Sequence, residues 1–312
     1  MKKIAFENQW RRFLHFSTYS LVIFALACGS GGDQSESQGL DDIMEEETET
    51  QTSTMMSDDV LAEIIRGIPA PVELVALIKA SGAEYSESML NPTENSESYT
   101  TSYRQALNLG IYGADLGYIN MYEKTISSLS YLNAVKEMAD LIKVGQFFDF
   151  VTLKRLSSNK ENIDSLLFIT TSNFNRMDEY LRDQGRADLS VLSVAGAWLE
   201  GIYISCQVSK ATGNAELVER IGEQKVALAD ICLMLNQYGG DENMVKIAAD
   251  FEKINKVFAA VSMTSTEAQP EMKEVDGKLV VIDNSSSEIN LSNETLDKII
   301  AVVTEVRNNC IN

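Results

Sequence analysis

Apolar residues recur three or four positions apart along most of the chain, the spacing that puts them on one face of an α-helix. Ser57 heads a short pattern of this kind that runs to Arg66. Pro69 breaks it, and Pro71 opens "PVELVALIKASG", with proline at the first helical position and Gly82 just past the end. The same spacing predicts helices over approximately 94–122, 127–144, 147–156, 160–183, 188–210, 214–238 and 241–263. Gly145, Gly185, Gly213 and Gly239 stand where helix C-caps belong. Near the end the period changes. "MKEVDGKLVVID", about 272–283, reads as two strands around Asp276-Gly277, a hairpin signal, and "EINL" adds a possible third strand. Ser292 then caps a last helix over about 293–309, with Glu294 placed against the helix dipole. The expected fold class is all-α, a multi-helix bundle or array of antiparallel helices with a small β-hairpin before the C-terminal helix. No repeat of about 34 or 40 residues recurs, so a regular solenoid is excluded.

Two of these helices lack a polar face. "ALNLGIYGADLGYINMY" (106–122) carries one charge, Asp115, and "LSVLSVAGAWLEGIYISCQV" (189–208) carries one, Glu200. Helices apolar all round are buried or membrane-spanning. Gly110, Gly113, Ala114 and Gly117 share a face of the first, and Ser193, Ala197 and Gly201 form a stripe on the second. Stripes of small residues let backbones approach closely. The polar segments on both sides and the mid-helix charges favour two central core helices over membrane spans.

A carboxylate in a core needs a partner, a raised pKa or a ligand. Helical spacing puts Asp115 near Asn108, Tyr118 and Tyr122, whose amide and phenols could satisfy it. Glu200 lies beside the small-residue stripe, where a partner would fit. Two readings stay open. One is a hydrogen-bonded core network. The other is an acid pair lining a pocket, with Tyr118, Trp198 and Tyr203 as walls. Carboxyls about 5 to 9 Å apart across an open cleft would make glycoside hydrolysis worth testing.

The N-terminus has a different pattern. Lys2, Lys3, Arg11 and Arg12 precede a mostly apolar stretch that is unbroken from Leu21 to Ala27. It is shorter than the roughly 20 apolar residues of a spanning helix and matches the core of a secretory signal. Ala25-Leu26-Ala27-Cys28 resembles a bacterial lipobox, with Ala25 where leucine is more usual. The resemblance implies cleavage before Cys28 and its acylation. Each buried CH₂ of the acyl chains contributes about 0.8 kcal/mol, enough for a stable anchor when more than one chain is attached. From Gly29 to Met56 there are eight acids and no lysine or arginine, which predicts a disordered tether (28–56) with a reach of roughly 30 Å. Acids soon after a lipid cysteine resemble the surface-export signal of Bacteroidota lipoproteins. Here they begin at Asp33, later than in that pattern, so the periplasmic and outer faces both stay open. The remaining residues, 57–312, are compatible with a single helical domain.

Composition narrows the chemistry. Removing 1–27 removes His15, the only histidine, and with it His-dependent nucleophilic catalysis and His-ligated metals. The remaining 285 residues hold 22 Lys+Arg and 45 Asp+Glu, a net charge of −23 that repels nucleic acid and anionic headgroups. A membrane would be held through the N-terminal lipid. No phosphate-binding glycine loop, CxxC or EF-hand motif is present, and no metal, cofactor or catalytic residue is assigned. Cys206 is seven residues before Gly213 and Cys232 nineteen after it, an offset of roughly 18 Å in an antiparallel pair, so both are expected to be buried thiols. Cys310 near the end could pair only through tertiary packing.

"PVELVALIKASGAEYSESMLN", "YRQALNLGIYGADLGYINMY", "AGAWLEGIYIS" and "LSNETLDKIIAVVTEVRN" resemble a family of uncharacterised Bacteroidota lipoproteins over nearly all of the chain after the tether. The resemblance implies export and a lipid anchor at Cys28, and brings no activity with it. The leading expectation is a non-enzymatic, lipid-anchored envelope protein that binds a protein partner or small ligand, in the periplasm or at the outer-membrane surface. The alternatives are a carboxylate hydrolase of glycan or peptidoglycan using Asp115 and Glu200, and a structural envelope spacer.

Overall fold

Two glycines decide how the centre of the molecule is built. A Cβ on Gly110 would lie 1.9 Å from the Ser193 carbonyl oxygen, and one on Gly196 would lie 2.0 Å from that of Leu107. No side chain fits at either position, so the two helices carrying them meet backbone to backbone. These are α3 (Ser102–Met121) and α7 (Ala187–Thr212). Ser193 strengthens the contact by donating its hydroxyl to the Ala106 carbonyl across the interface, at 3.0 Å. Gly196 is a contact that the predicted stripe did not include. Gly113 instead faces the Phe174 ring, and a Cβ on Gly117 would meet nothing within 4 Å.

A computed structural model describes residues 56–68, 71–157, 163–266, 271–275, 278–282 and 286–312. The expected signal sequence, Cys28, nearly all of the expected acidic tether and the expected turn at Asp276-Gly277 lie outside these. Ten α-helices occur among the described residues. Around α3 and α7 stand α1 (Asp58–Gly67), α2 (Pro71–Ala80), α4 (Thr125–Leu141), α5 (Phe150–Ser157), α6 (Ile163–Asp183), α8 (Ala215–Asn236), α9 (Glu242–Phe258) and α10 (Asn293–Ile311). The fold is an all-α helical array. Helix α7 lies at its centre, packed against α2, α3, α6, α8 and α10. It is long and apolar enough to cross a membrane, yet 83% of its most apolar window is buried inside the protein. The absence of a polar face therefore reflects a core helix surrounded by other helices.

Local chemistry sets the helix starts. Ser57, Thr101, Asn214, Asp241 and Ser292 each accept a backbone N–H of the first turn, as in Asn214 Oδ1 with the Leu217 amide at 2.8 Å. Gly82, Gly185 and Gly213 take the left-handed conformation at helix ends.

Several boundaries differ from the sequence expectation. The segment 94–122 is not one helix. Thr93–Ser98 forms a 3-10 turn, Tyr99 is extended, and Thr101 restarts the chain as the cap of α3. Polar side chains there bond to nearby backbone, as Ser98 does to the Asn95 carbonyl, and compete with the helical ladder. Helix α9 ends at Phe258, and the β-favouring "SMTST" that follows is strand β1 (Ser262–Thr266). The left-handed residue after α4 is Lys143, not Gly145. Gly145 has a different role, because a Cβ there would lie 1.8 Å from the Asp140 carboxyl. Gly239 has no positive φ.

The hairpin is present as β2 (Glu271–Val275) and β3 (Lys278–Ile282), antiparallel with Val275 opposite Lys278. The segment around "EINL" becomes β4 (Ser286–Asn290), but it pairs with β1, Met263 opposite Ile289, and not with the hairpin. Strand β4 lies tightly on α8: a Cβ on Gly222 would sit 2.4 Å from Ile289 Cγ2. Cys206, Cys232 and Cys310 are all buried free thiols, as the helical offset requires.

Candidate functional site

The two lone carboxylates come together. Asp115 projects from α3 and Glu200 from α7, and both are 0% exposed. Beside them lies Arg307 of α10, 4% exposed. Its Nε donates to Glu200 Oε2 at 2.9 Å and its Nη2 to Oε1 at 2.7 Å, a two-pronged ion pair. The same Nη2 donates to the Met89 carbonyl at 3.0 Å. The guanidinium carbon stands 4.5 Å from the centre of the Tyr203 ring. Burial opposes the charge on Arg307, but the Glu200 carboxylate outweighs it and holds the guanidinium pKa above its ordinary value.

Asp115 completes the cluster. Its Oδ2 accepts the Asn91 backbone N–H at 3.1 Å. Its Oδ1 is buried with no hydrogen-bond partner among the described residues. Burial, and then the negative charge of Glu200, push the Asp115 pKa well above the usual carboxylate range.

The surrounding residues extend the polar seam to the end of α10. The Asn91 amide donates to the Tyr99 phenol at 3.0 Å and to Asn108 Oδ1 at 3.2 Å. Asn108 donates to the Cys310 carbonyl at 3.2 Å. Tyr99 and Asn95 donate to the Ile311 carbonyl at 3.0 and 3.3 Å. These side chains satisfy carbonyls that a helix terminus leaves without partners. The cluster thus ties together the 87–98 segment, α3, α7 and α10.

Of the five candidate pocket residues, Asp115, Glu200 and Tyr203 meet here. Trp198 does not. Two positions from Glu200, it faces the other side of α7, donating its Nε1 to Gln224 at 3.1 Å and packing its ring against Phe251. Tyr118 makes no hydrogen bond to Asp115; its phenol oxygen accepts the Ser86 amide at 3.0 Å. Tyr122 donates to the Ala83 carbonyl at 2.7 Å. The expected phenol partners are engaged by the 83–86 segment, and Asn108 reaches Asn91 in place of Asp115. Arg307 and Asn91 are absent from the sequence-derived set. The signal for Arg307 is its spacing: it lies four residues past Val303 and beside Val306, among the buried positions of α10.

No family model matches the chain, and neither curated proteins nor solved structures provide a match. What defines the site is its own geometry: two buried acids, one of them paired with a buried arginine, inside an all-α array.

Proposed function

We propose that this chain is an exported, lipid-anchored, non-enzymatic protein of the bacterial cell envelope, held to its membrane through Cys28. In this reading it belongs with the Bacteroidota lipoproteins that its sequence resembles, and it presents a helical domain on an acidic tether to a protein partner or small ligand. The observation that carries the non-enzymatic part is the complete burial of Asp115 and Glu200, with both Glu200 oxygens engaged by Arg307. A hydrolase needs its acid pair open to substrate and water. Here the arrangement is that of a structural lock. Val226 and Leu233, 54% and 52% exposed, lie seven residues apart on the same side of α8 and offer apolar surface to a partner, which favours binding over a purely inert spacer.

The test is an assay of the purified full-length protein on peptidoglycan and soluble glycans, followed by release of reducing ends. No release above a buffer blank is expected, with or without Asp115→Asn. Release by the unmodified chain that is lost in that variant would overturn the reading in favour of the hydrolase.

A further inference from the structure

The Asp115–Glu200–Arg307 cluster has two acids for one base. Each Glu200 oxygen accepts one hydrogen bond from the guanidinium fork. Asp115 Oδ2 is taken by the Asn91 amide, leaving Oδ1 buried without a hydrogen-bond partner among the described residues. We propose that the cluster is a proton-binding site: one hydrogen on Asp115 Oδ1, donated to Glu200, is a structural component of the fold and fastens α10 to α3 and α7. It stands apart from the membrane-anchor assignment, which could fail without affecting it.

The groups facing Asp115 support this placement. Glu200 and Tyr203 approach from α7, Arg307 from α10, Tyr131 from α4 and Tyr85 from the segment before α3, while Tyr112 is on its own helix. The α2 and α6 charges bond elsewhere, Lys79 to the Met121 carbonyl and Arg182 to Asp178. Burial first holds the Tyr85, Tyr112, Tyr131 and Tyr203 phenols above their ordinary pKa, so none of them supplies a competing charge near neutrality. Arg307 is committed to Glu200 through both of its carboxylate oxygens.

The sign of the pH dependence follows. Between the ordinary carboxyl value of 3.8 and its raised value in the fold, Asp115 is protonated when folded and ionised when unfolded. The folded chain holds one more proton in that window, so this contribution to stability is full below the window and is lost as pH rises through it. The slope is one proton, a tenfold change in the folding constant per pH unit.

Asp115→Asn removes the titration while keeping an oxygen for Asn91 and an N–H for Glu200. In denaturant titrations of the full chain, the folding constant of the variant relative to the unmodified protein is expected to rise tenfold per pH unit across this window. A ratio independent of pH would overturn the proposal. A second measurement needs no variant. Infrared spectra at neutral pH are expected to show the carbonyl stretch of a protonated carboxylic acid, shifted by ¹³C-labelled aspartate and absent after unfolding. No such band, or one that follows labelled glutamate, would overturn it.

Discussion

Glu200 illustrates how one side chain can bear on the whole fold. Removing it by Glu200→Ala leaves the buried Arg307 guanidinium without its two-pronged partner, a loss of about 3–5 kcal/mol for a broken buried pair. Denaturant melts should show this destabilisation, and a change below about 1 kcal/mol would mean that Arg307 finds water or another partner. The two acids were legible in the sequence because each is the only charge in a long apolar run. Their common partner was not. Arg307 sits in a helix that also carries Glu294, Lys298 and Glu305 on its polar side, so its burial shows only through its spacing from Val303 and Ile299. The phenols of Tyr118 and Tyr122 misled for a related reason. Helical spacing places them near Asp115, but the irregular 83–86 backbone claims their hydroxyls, and such a segment leaves no periodic trace.

At the scale of elements, the α3–α7 contact makes a sharp contrast among glycines. Gly110→Ala and Gly196→Ala each force a Cβ to within about 2 Å of a backbone oxygen, so the helices must separate. A loss of about 1–3 kcal/mol is expected for each, as for other overpacked cores. Gly117→Ala meets open space in the same helix and should be neutral or stabilising by up to about 1 kcal/mol, because alanine favours helix. Thermal melts of the three variants check this. Equal effects at Gly110 and Gly117 would contradict the packing described. Small residues marked the contact in the sequence, but their register did not, since both glycines sit on the same helical stripe. Caps and breakers gave most helix starts correctly. The errors fell where polar side chains bond their own backbone, at 93–101, and where serine and threonine follow an α-helix, at 262–266.

For the whole molecule, a single arrangement accounts for the described residues: an apolar α7 enclosed by other helices, and a polar seam closed by α10. The chain around it is acidic, with a net charge of −20, so contact with an anionic bilayer must come from something other than charge. The account assigns that role to Cys28. Metabolic labelling of cells with a palmitate analogue, followed by membrane fractionation, tests it directly. The account predicts a labelled, membrane-bound protein and loss of both label and membrane association in Cys28→Ser. Label persisting in that variant, or an unlabelled chain with an intact N-terminus in the cytosol, would contradict it.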